Sequence, residues 1–478
     1  YLKELVQRGH SLEYFIEGGR SRTGLLLPAK PGMLSMTVQA YLREPVRPVQ
    51  FVPIYFGYEK LLEGRSFTNE LAGGKKRKES LLGLFKALKT LRENYGRVYV
   101  SIGEPIALNT LLDKSLPTWK NATFRENNTS TDNPATTNVS TDQLIRSDYY
   151  RHMVTTLGKQ ILTNINAAVS VTPVSLVASL LLAAPGKSSG HSELRNQLEL
   201  THKLLSTLHL DTQPQPINTA ESSASIILPD LNADAWIEHT TQLGFLKFDN
   251  SELGQVVKVK PRHLTTLMYF CNNILHIFVV PSLIACVLTQ QRSVSRARLE
   301  RLVLQAWPVL SAQYYLDQQA SQHIAQNAIA AMEKNGLLDI ESNRVQRPSG
   351  RSLQSVLLIR LATLVRPTIE RGYLAAALLA EFRGGISVEE YEQRYRIAAN
   401  RFAMTEARDP NELYNRASFQ TLVDSLLATD AVENHDGNLR ANSVLQSLEF
   451  EIRQVLADAT RHEMLAAARL AAHCTLNA

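Results

Sequence analysis

Apolar and polar positions in the first part of the chain alternate between strand-like and helix-like periods. Bulky, β-prone residues over 12–17 predict a short strand. Met33, Met36, Thr37, Ala40 and Tyr41 recur at helical spacing and predict a helix over 33–43. A second buried strand is expected over 49–55, with Pro53 at its end or edge. Residues 80–93 place Leu81, Leu84, Phe85, Leu88 and Leu91 on one stripe of an amphipathic helix, and a third strand is expected over 98–102. Strand and helix alternate, and the strands are apolar on both faces. Both features predict an α/β domain with a largely parallel sheet covered on each side.

Residues 117–143 are rich in Asn, Ser and Thr and offer little to bury, so they read as a flexible linker or loop. From residue 144 the period becomes helical, with Leu/Ala stripes over 353–379 and 448–470. The expected organisation is therefore an α/β part over 1–117, a linker over 118–143 and a mainly α-helical region over 144–478. Two stretches, 324–345 and 419–440, each read as an amphipathic helix followed by a short hairpin. That is a winged-helix element or an ordinary helix ending in a hairpin; neither carries a recognition helix rich in Arg and Lys, so nucleic acid is not an expected partner.

Two apolar runs bear on membrane insertion. Residues 169–184 are too short to span a bilayer. Residues 264–288 are long enough but contain Asn272, Asn273, His276 and Pro281. Polar groups are costly in hydrocarbon, so a buried helix broken at Pro281 is expected, with shallow contact at a membrane surface left open.

Charge is unevenly placed along the 478 residues. The net charge is +6, yet residues 1–117 hold 18 Lys/Arg against 11 Asp/Glu, a net of +7. Either an anionic partner meets this part or it is a solvated basic face; the run Lys75, Lys76, Arg77 and Lys78 is its densest point. Three cysteines at spacings that fit no zinc pattern point to a reducing compartment and to no metal or cofactor site.

The candidate chemistry lies in FIEGGRSRTG, residues 15–24. Gly18 and Gly19 let the backbone approach a ligand closely. Arg20 and Arg22 offer forked donors suited to phosphate or carboxylate, and Ser21 and Thr23 add hydroxyls. Lys30 precedes the next helix, opened by Gly32, whose amino end favours an anion. The alternative is a surface turn whose arginines pair with Glu13, Glu17 or solvent.

This stretch resembles the third block of the glycerol-phosphate acyltransferase family, F-x-E-G-x-R-S-R. VPIYFGYE, residues 52–59, is similar to the fourth block, and LLLPAKPGML, GEPI and YFCNNILHIFVVPSLIA extend the resemblance over nearly the whole chain. It is closest to the membrane-associated bacterial branch. The resemblance implies transfer of a fatty acyl group from acyl carrier protein or coenzyme A to the sn-1 hydroxyl of glycerol 3-phosphate, the first step of phospholipid synthesis. It also implies a peripheral or monotopic place on the cytoplasmic face of a bacterial inner membrane, against anionic phospholipid. Glu17, Gly18, Arg20 and Ser21, with Arg22 and Lys30 beside them, fall on the glycerol-phosphate site; Val52, Pro53 and Ile54 fall on the fourth block.

The family's catalytic block, H-x-x-x-x-D, is missing: none of the twelve histidines has Asp five residues later. The chain begins at Tyr1, so the expectation is a carboxyl-terminal part of an acyltransferase, with its His/Asp block upstream and little activity by itself. The alternative is a non-catalytic scaffold that binds phosphate or lipid.

Overall fold

The computed structural model describes residues 1–61, 94–117, 119–121, 140–210, 226–252, 254–318, 321–348, 350 and 352–475. The expected amphipathic helix over 80–93, the basic run at 75–78 and most of the Asn/Thr/Ser-rich stretch lie outside the described residues.

Two hydrophobic cores divide the chain. The first gathers Ile16, Leu34, Val38, Tyr41, Phe51 and Leu112 with Met153, Leu157 and Leu162. The helix Asp148–Ala167 therefore packs with the amino-terminal part, preceded by Thr141–Arg146, which starts on a Ser140–Gln143 capping box. The helix Pro31–Arg43 buries Leu34, Thr37, Val38, Ala40, Tyr41 and Leu42, while Met33 and Met36 remain exposed. Thr37, Ala40 and Tyr41 of the expected stripe are thus buried, with Leu34, Val38 and Leu42 in place of the two methionines.

The strands here differ from the expected parallel sheet. Pro53 splits the second run into Gln50–Phe51 and Ile54–Tyr58. Gln50–Phe51 pairs with Ile106–Ala107, and Ile54–Tyr58 with Val98–Ile102; both ladders are antiparallel. Nor is the second ladder covered on both faces among the described residues. Tyr55, Gly57, Tyr99 and Ser101 turn inward, whereas Ile54, Phe56, Tyr58, Val98, Val100 and Ile102 are exposed, Ile102 at 68%. Residues 12–17 form no strand among the described residues. Exposure alternates from Ser11 to Ile16 as in a strand, but no ladder joins the segment among the described residues. A strand is defined by its partner, so the β-prone pattern alone does not create one.

The second core runs from Val169 to Ala472 and is mainly helical. Two long apolar helices, Leu264–Gln290 and Leu353–Ala380, lie against each other in its middle. The first continues through Pro281 instead of breaking there, and 83% of its apolar window is buried inside the fold. Packing on all sides holds the helix across the hydrogen bond that proline cannot make. The 448–470 stripe is two helices, Ser443–Arg453 and Asp458–His473.

The region is built on a repeated unit. Ser188–Gly190, His191–Leu210, Ala233–Gln242 and the hairpin Leu246–Ser251/Gly254–Val259 form the first copy. Ser293–Ser295, Arg296–Tyr314, Ser321–Lys334 and Asp339–Glu341/Arg344–Gln346 form the second, and Ile386–Ser387, Val388–Thr405, Arg416–Ala428 and Val432–His435/Asn438–Ala441 the third. In each, the last strand lies between the other two, all antiparallel. This is the winged-helix order, and each copy is led by a core helix: Pro173–Leu182, Leu264–Gln290 or Leu353–Ala380. The two hairpins foreseen from sequence turn through positive-φ pairs, Ser342–Asn343 and Asp436–Gly437, as tight hairpins require. The first copy lacks such a two-residue signal and was not apparent from the sequence. The third helix of each unit carries no basic cluster; Ala233–Gln242 has Asp234 and Glu238 and no Lys or Arg.

Burial pushes the thiol of Cys271 up to about 11 and that of Cys286 to about 12, whereas Cys474 is partly exposed. Iodoacetamide treatment of the folded chain at about pH 8 is expected to alkylate Cys474 alone, read by peptide mass spectrometry. Equal modification of Cys271 or Cys286 contradicts this packing.

Candidate functional site

Residues 16–30 form a closed loop between the two cores. Ile16 is buried, and its carbonyl accepts the Lys30 N–H at 2.8 Å, which ties the ends together. Gly18 (φ 60°) makes the first tight turn, its N–H donating to Phe15 O at 3.0 Å; a Cβ there would lie 2.7 Å from the Lys30 side chain. The Glu17 carboxylate accepts the Leu27 N–H at 2.9 Å across the loop. Ser21 Oγ donates to Leu25 O at 2.6 Å and accepts the Gly24 N–H at 3.1 Å, so its hydroxyl shapes the turn.

The carboxyl-terminal region holds the far side of this loop. Asn272 Nδ2 donates to Thr23 O at 2.8 Å. Gly24 (φ 86°) sits so close to the Leu264–Gln290 helix that a Cβ would be 2.1 Å from Tyr269 O and 3.0 Å from Asn273 Oδ1. Only glycine meets both the positive φ and that approach. His276 Nε2 lies 3.1 Å from Asn166 O, and Asn166 Nδ2 donates to Tyr314 O at 2.6 Å, linking helices from both cores.

Between loop and helix opens a cavity of about 1790 Å³. Of the residues singled out from sequence, Glu17, Gly18, Arg20, Ser21, Val52, Pro53 and Ile54 line it. Arg22 and Lys30 do not: the Lys30 stem lies over Gly18, and Lys30 is the N-cap of the helix that opens at Pro31. Pro31 and Gly32, at the amino end of that helix, do not line the cavity either. Among the described residues, no ladder joins residues 12–17, the segment that leads into this loop.

Sequence reasoning missed the residues of the helical region that line the cavity, Tyr269, Asn272, Asn273 and His276 among them. Their signal was present: three polar side chains in an otherwise apolar run, counted only as an obstacle to membrane insertion. It also missed Glu59, the last residue of VPIYFGYE. Glu59 is 1% exposed and accepts the Arg97 N–H at 2.7 Å and the Tyr99 hydroxyl at 3.1 Å, with His239 Nε2 at 2.8 Å. His239 belongs to the third helix of the first winged-helix unit, so this carboxylate joins the two parts of the chain. Pro53 and Gly103 make a further close contact, within the part of the chain that builds the first core. Pro53 O accepts the Gly103 N–H at 2.8 Å, and Gly103 leaves room for Asn164 O, 2.6 Å from where its Cβ would be.

Electrostatics around the loop follow from burial. Desolvation raises the Glu17 carboxyl above its ordinary range, partly offset by the Leu27 hydrogen bond. Burial, then the Glu17 charge, pushes Tyr269 up to about 12, so it is a neutral hydroxyl at the cavity wall. The arrangement combines a forked cation, hydroxyl and amide donors and a partly apolar wall, which suits a small anion joined to a less polar group.

Comparison with known proteins agrees with this composite build. Residues 67–435 match the family model described as glycerol-3-phosphate acyltransferase C-terminal region, and residues 1–57 match the one described as acyltransferase. The chain belongs to the glycerol-3-phosphate acyltransferase family. It is 33% identical over 466 residues to a glycerol-3-phosphate acyltransferase of Pseudomonas paraeruginosa, covering 95% of this chain and 52% of that protein. A Xylella fastidiosa protein of the same name is 36% identical over 435 residues, covering 89% and 47%. The chain thus spans about half the length of the curated relatives it matches. The first match ends at residue 57, within the fourth block, the second begins at 67, and the cavity is lined from both sides of this junction.

Two outcomes test this geometry. Glu59→Ala leaves three donors facing a buried gap and is expected to cost about 3 kcal/mol in denaturant unfolding; a loss under about 0.5 kcal/mol would show that the joint is unimportant. For Glu17, a raised folded pKa means the native state binds the proton more tightly than the unfolded chain. Its ionised form therefore weakens the fold at neutral pH, and stability is regained as pH falls through the folded value. Glu17→Gln keeps an acceptor for Leu27 and removes the charge. Its melting temperature should exceed that of the parent near neutral pH, with the gap narrowing on acidification; a widening gap contradicts the sign.

Proposed function

We propose that this chain forms the glycerol-phosphate half of an acyltransferase site. In this reading a fatty acyl thioester, carried by acyl carrier protein or coenzyme A, is attacked by the sn-1 hydroxyl of glycerol 3-phosphate. Arg20 grips the phosphate, Ser21 holds the turn that presents it, and the cavity between loop and long helix receives the glycerol. The observation that supports this most is the convergence of Arg20, Ser21 and Pro53, from both family blocks, on one cavity. Orientation is the contribution such a site makes: holding the hydroxyl against the thioester carbon lowers the entropic part of the barrier.

The base that takes the hydroxyl proton comes from outside these 478 residues in this reading, since no H-x-x-x-x-D pair occurs within them. Contact with anionic phospholipid at the cytoplasmic face of a bacterial inner membrane belongs to the same proposal, supported by the +7 net charge of residues 1–117. Phospholipid synthesis is the pathway such a product would enter.

Arg20→Ala, in the complete protein encoded in frame with this sequence, is expected to raise the KM for glycerol 3-phosphate at least about thirtyfold, the loss of one charge-assisted contact of about 2 kcal/mol or more. Steady-state kinetics with the donor saturating measure it. An unchanged KM removes the phosphate role of this loop and leaves a scaffold function in its place.

A further inference from the structure

We infer that the helical region is part of the substrate site itself, with Asn272 as the residue that positions the anion-binding loop. This rests on the reading of that loop as the glycerol-phosphate site. The loop's own hydrogen bonds, from Glu17 to Leu27 and through Ser21, close it internally but do not set where it stands relative to the cavity. Two contacts with the Leu264–Gln290 helix do. Asn272 Nδ2 holds the carbonyl of Thr23, three residues from Arg20, at 2.8 Å. Gly24, the next residue, rests on Tyr269 O and Asn273 with no room for a side chain.

The anchoring helix is itself hard to move. Cys271, Ile274, Leu275 and Phe278 on the same stretch are buried in the second core. His276 reaches Asn166 O at the end of Asp148–Ala167, which belongs to the first core. The helix is thus fixed against both cores, and Asn272 transmits that position to the backbone beside the phosphate-gripping arginine. A neutral side chain to carbonyl bond is modest in energy, but a loop displaced by an ångström misplaces a bidentate guanidinium. The effect falls on binding of the anion, not on the acyl donor.

The test uses the complete protein encoded in frame with this sequence and three variants: Asn272→Ala, Gly24→Ala and Arg20→Ala. Asn272→Ala and Gly24→Ala are each expected to raise the KM for glycerol 3-phosphate about fivefold or more. The KM for the acyl donor should stay within about twofold, and the double variant should lose less than the product of the two single effects. Asn272→Asp keeps an acceptor in place of the donor and should not rescue; Asn272→Gln, which retains the donor, should recover part of the loss. An unchanged KM for glycerol 3-phosphate in both single variants, while Arg20→Ala raises it, overturns the positioning role and leaves the loop's function standing. If Arg20→Ala is also silent, the glycerol-phosphate reading of the loop fails with it. Equal rises in both substrates' KM values, or loss of the cooperative melting transition in both single variants, assigns Asn272 and Gly24 to stability alone and also overturns the inference.

Discussion

A buried apolar helix that carries polar side chains must find partners for them, and this requirement organises the molecule. The Leu264–Gln290 helix lies in the middle of the second core, yet Asn272, Asn273 and His276 interrupt its apolar surface over little more than one turn. Left unpaired in that setting, each would cost on the order of 1–3 kcal/mol. Asn272 is satisfied by the carbonyl of Thr23, and His276 faces the carbonyl of Asn166. The amino-terminal part of the chain is thereby drawn onto the helical region at the point where its glycine-rich loop turns.

The same logic explains the second joint. Glu59 is a carboxylate at 1% exposure, and its donors come from the strand segment at Arg97 and Tyr99 and from His239 in the first winged-helix unit. Burying a charge demands hydrogen bonds from several directions, and here those directions span both parts of the chain. Glycines at Gly24 and Gly103 make the close approaches possible, since a Cβ at either would overlap the backbone of a helix. Of the polar anchors Asn272 and Glu59 and these two glycines, Asn272 and Gly24 line the cavity itself.

The winged-helix units build the second core. Each contributes a core helix and closes with a three-stranded sheet, and the core they share includes residues from Val169 to Ala472. Their third helices lack the cationic surface that a nucleic acid would require. A buried Arg360 shows how tightly the units interlock: it donates to Leu180 O, Ser189 Oγ and Glu193 across from the third unit's leading helix to the first unit.

The sequence by itself determined most local structure and the candidate chemistry. Helical periods located Pro31–Arg43 and Leu353–Ala380, two helix-then-hairpin stretches were visible at 324–345 and 419–440, and FIEGGRSRTG announced a loop able to meet an anion. These are legible because they depend on neighbours three or four residues away, or on the backbone freedom of a single residue. That Leu34, Val38 and Leu42 and not the two methionines complete the buried face of Pro31–Arg43, that no ladder joins residues 12–17 among the described residues, and that the described amino-terminal ladders run antiparallel were decided by tertiary structure. So was the meeting of Thr23 with Asn272, 249 positions apart. A ladder, a buried charge and a close backbone contact each need a partner supplied from far along the chain, and no local period records which partner it will be.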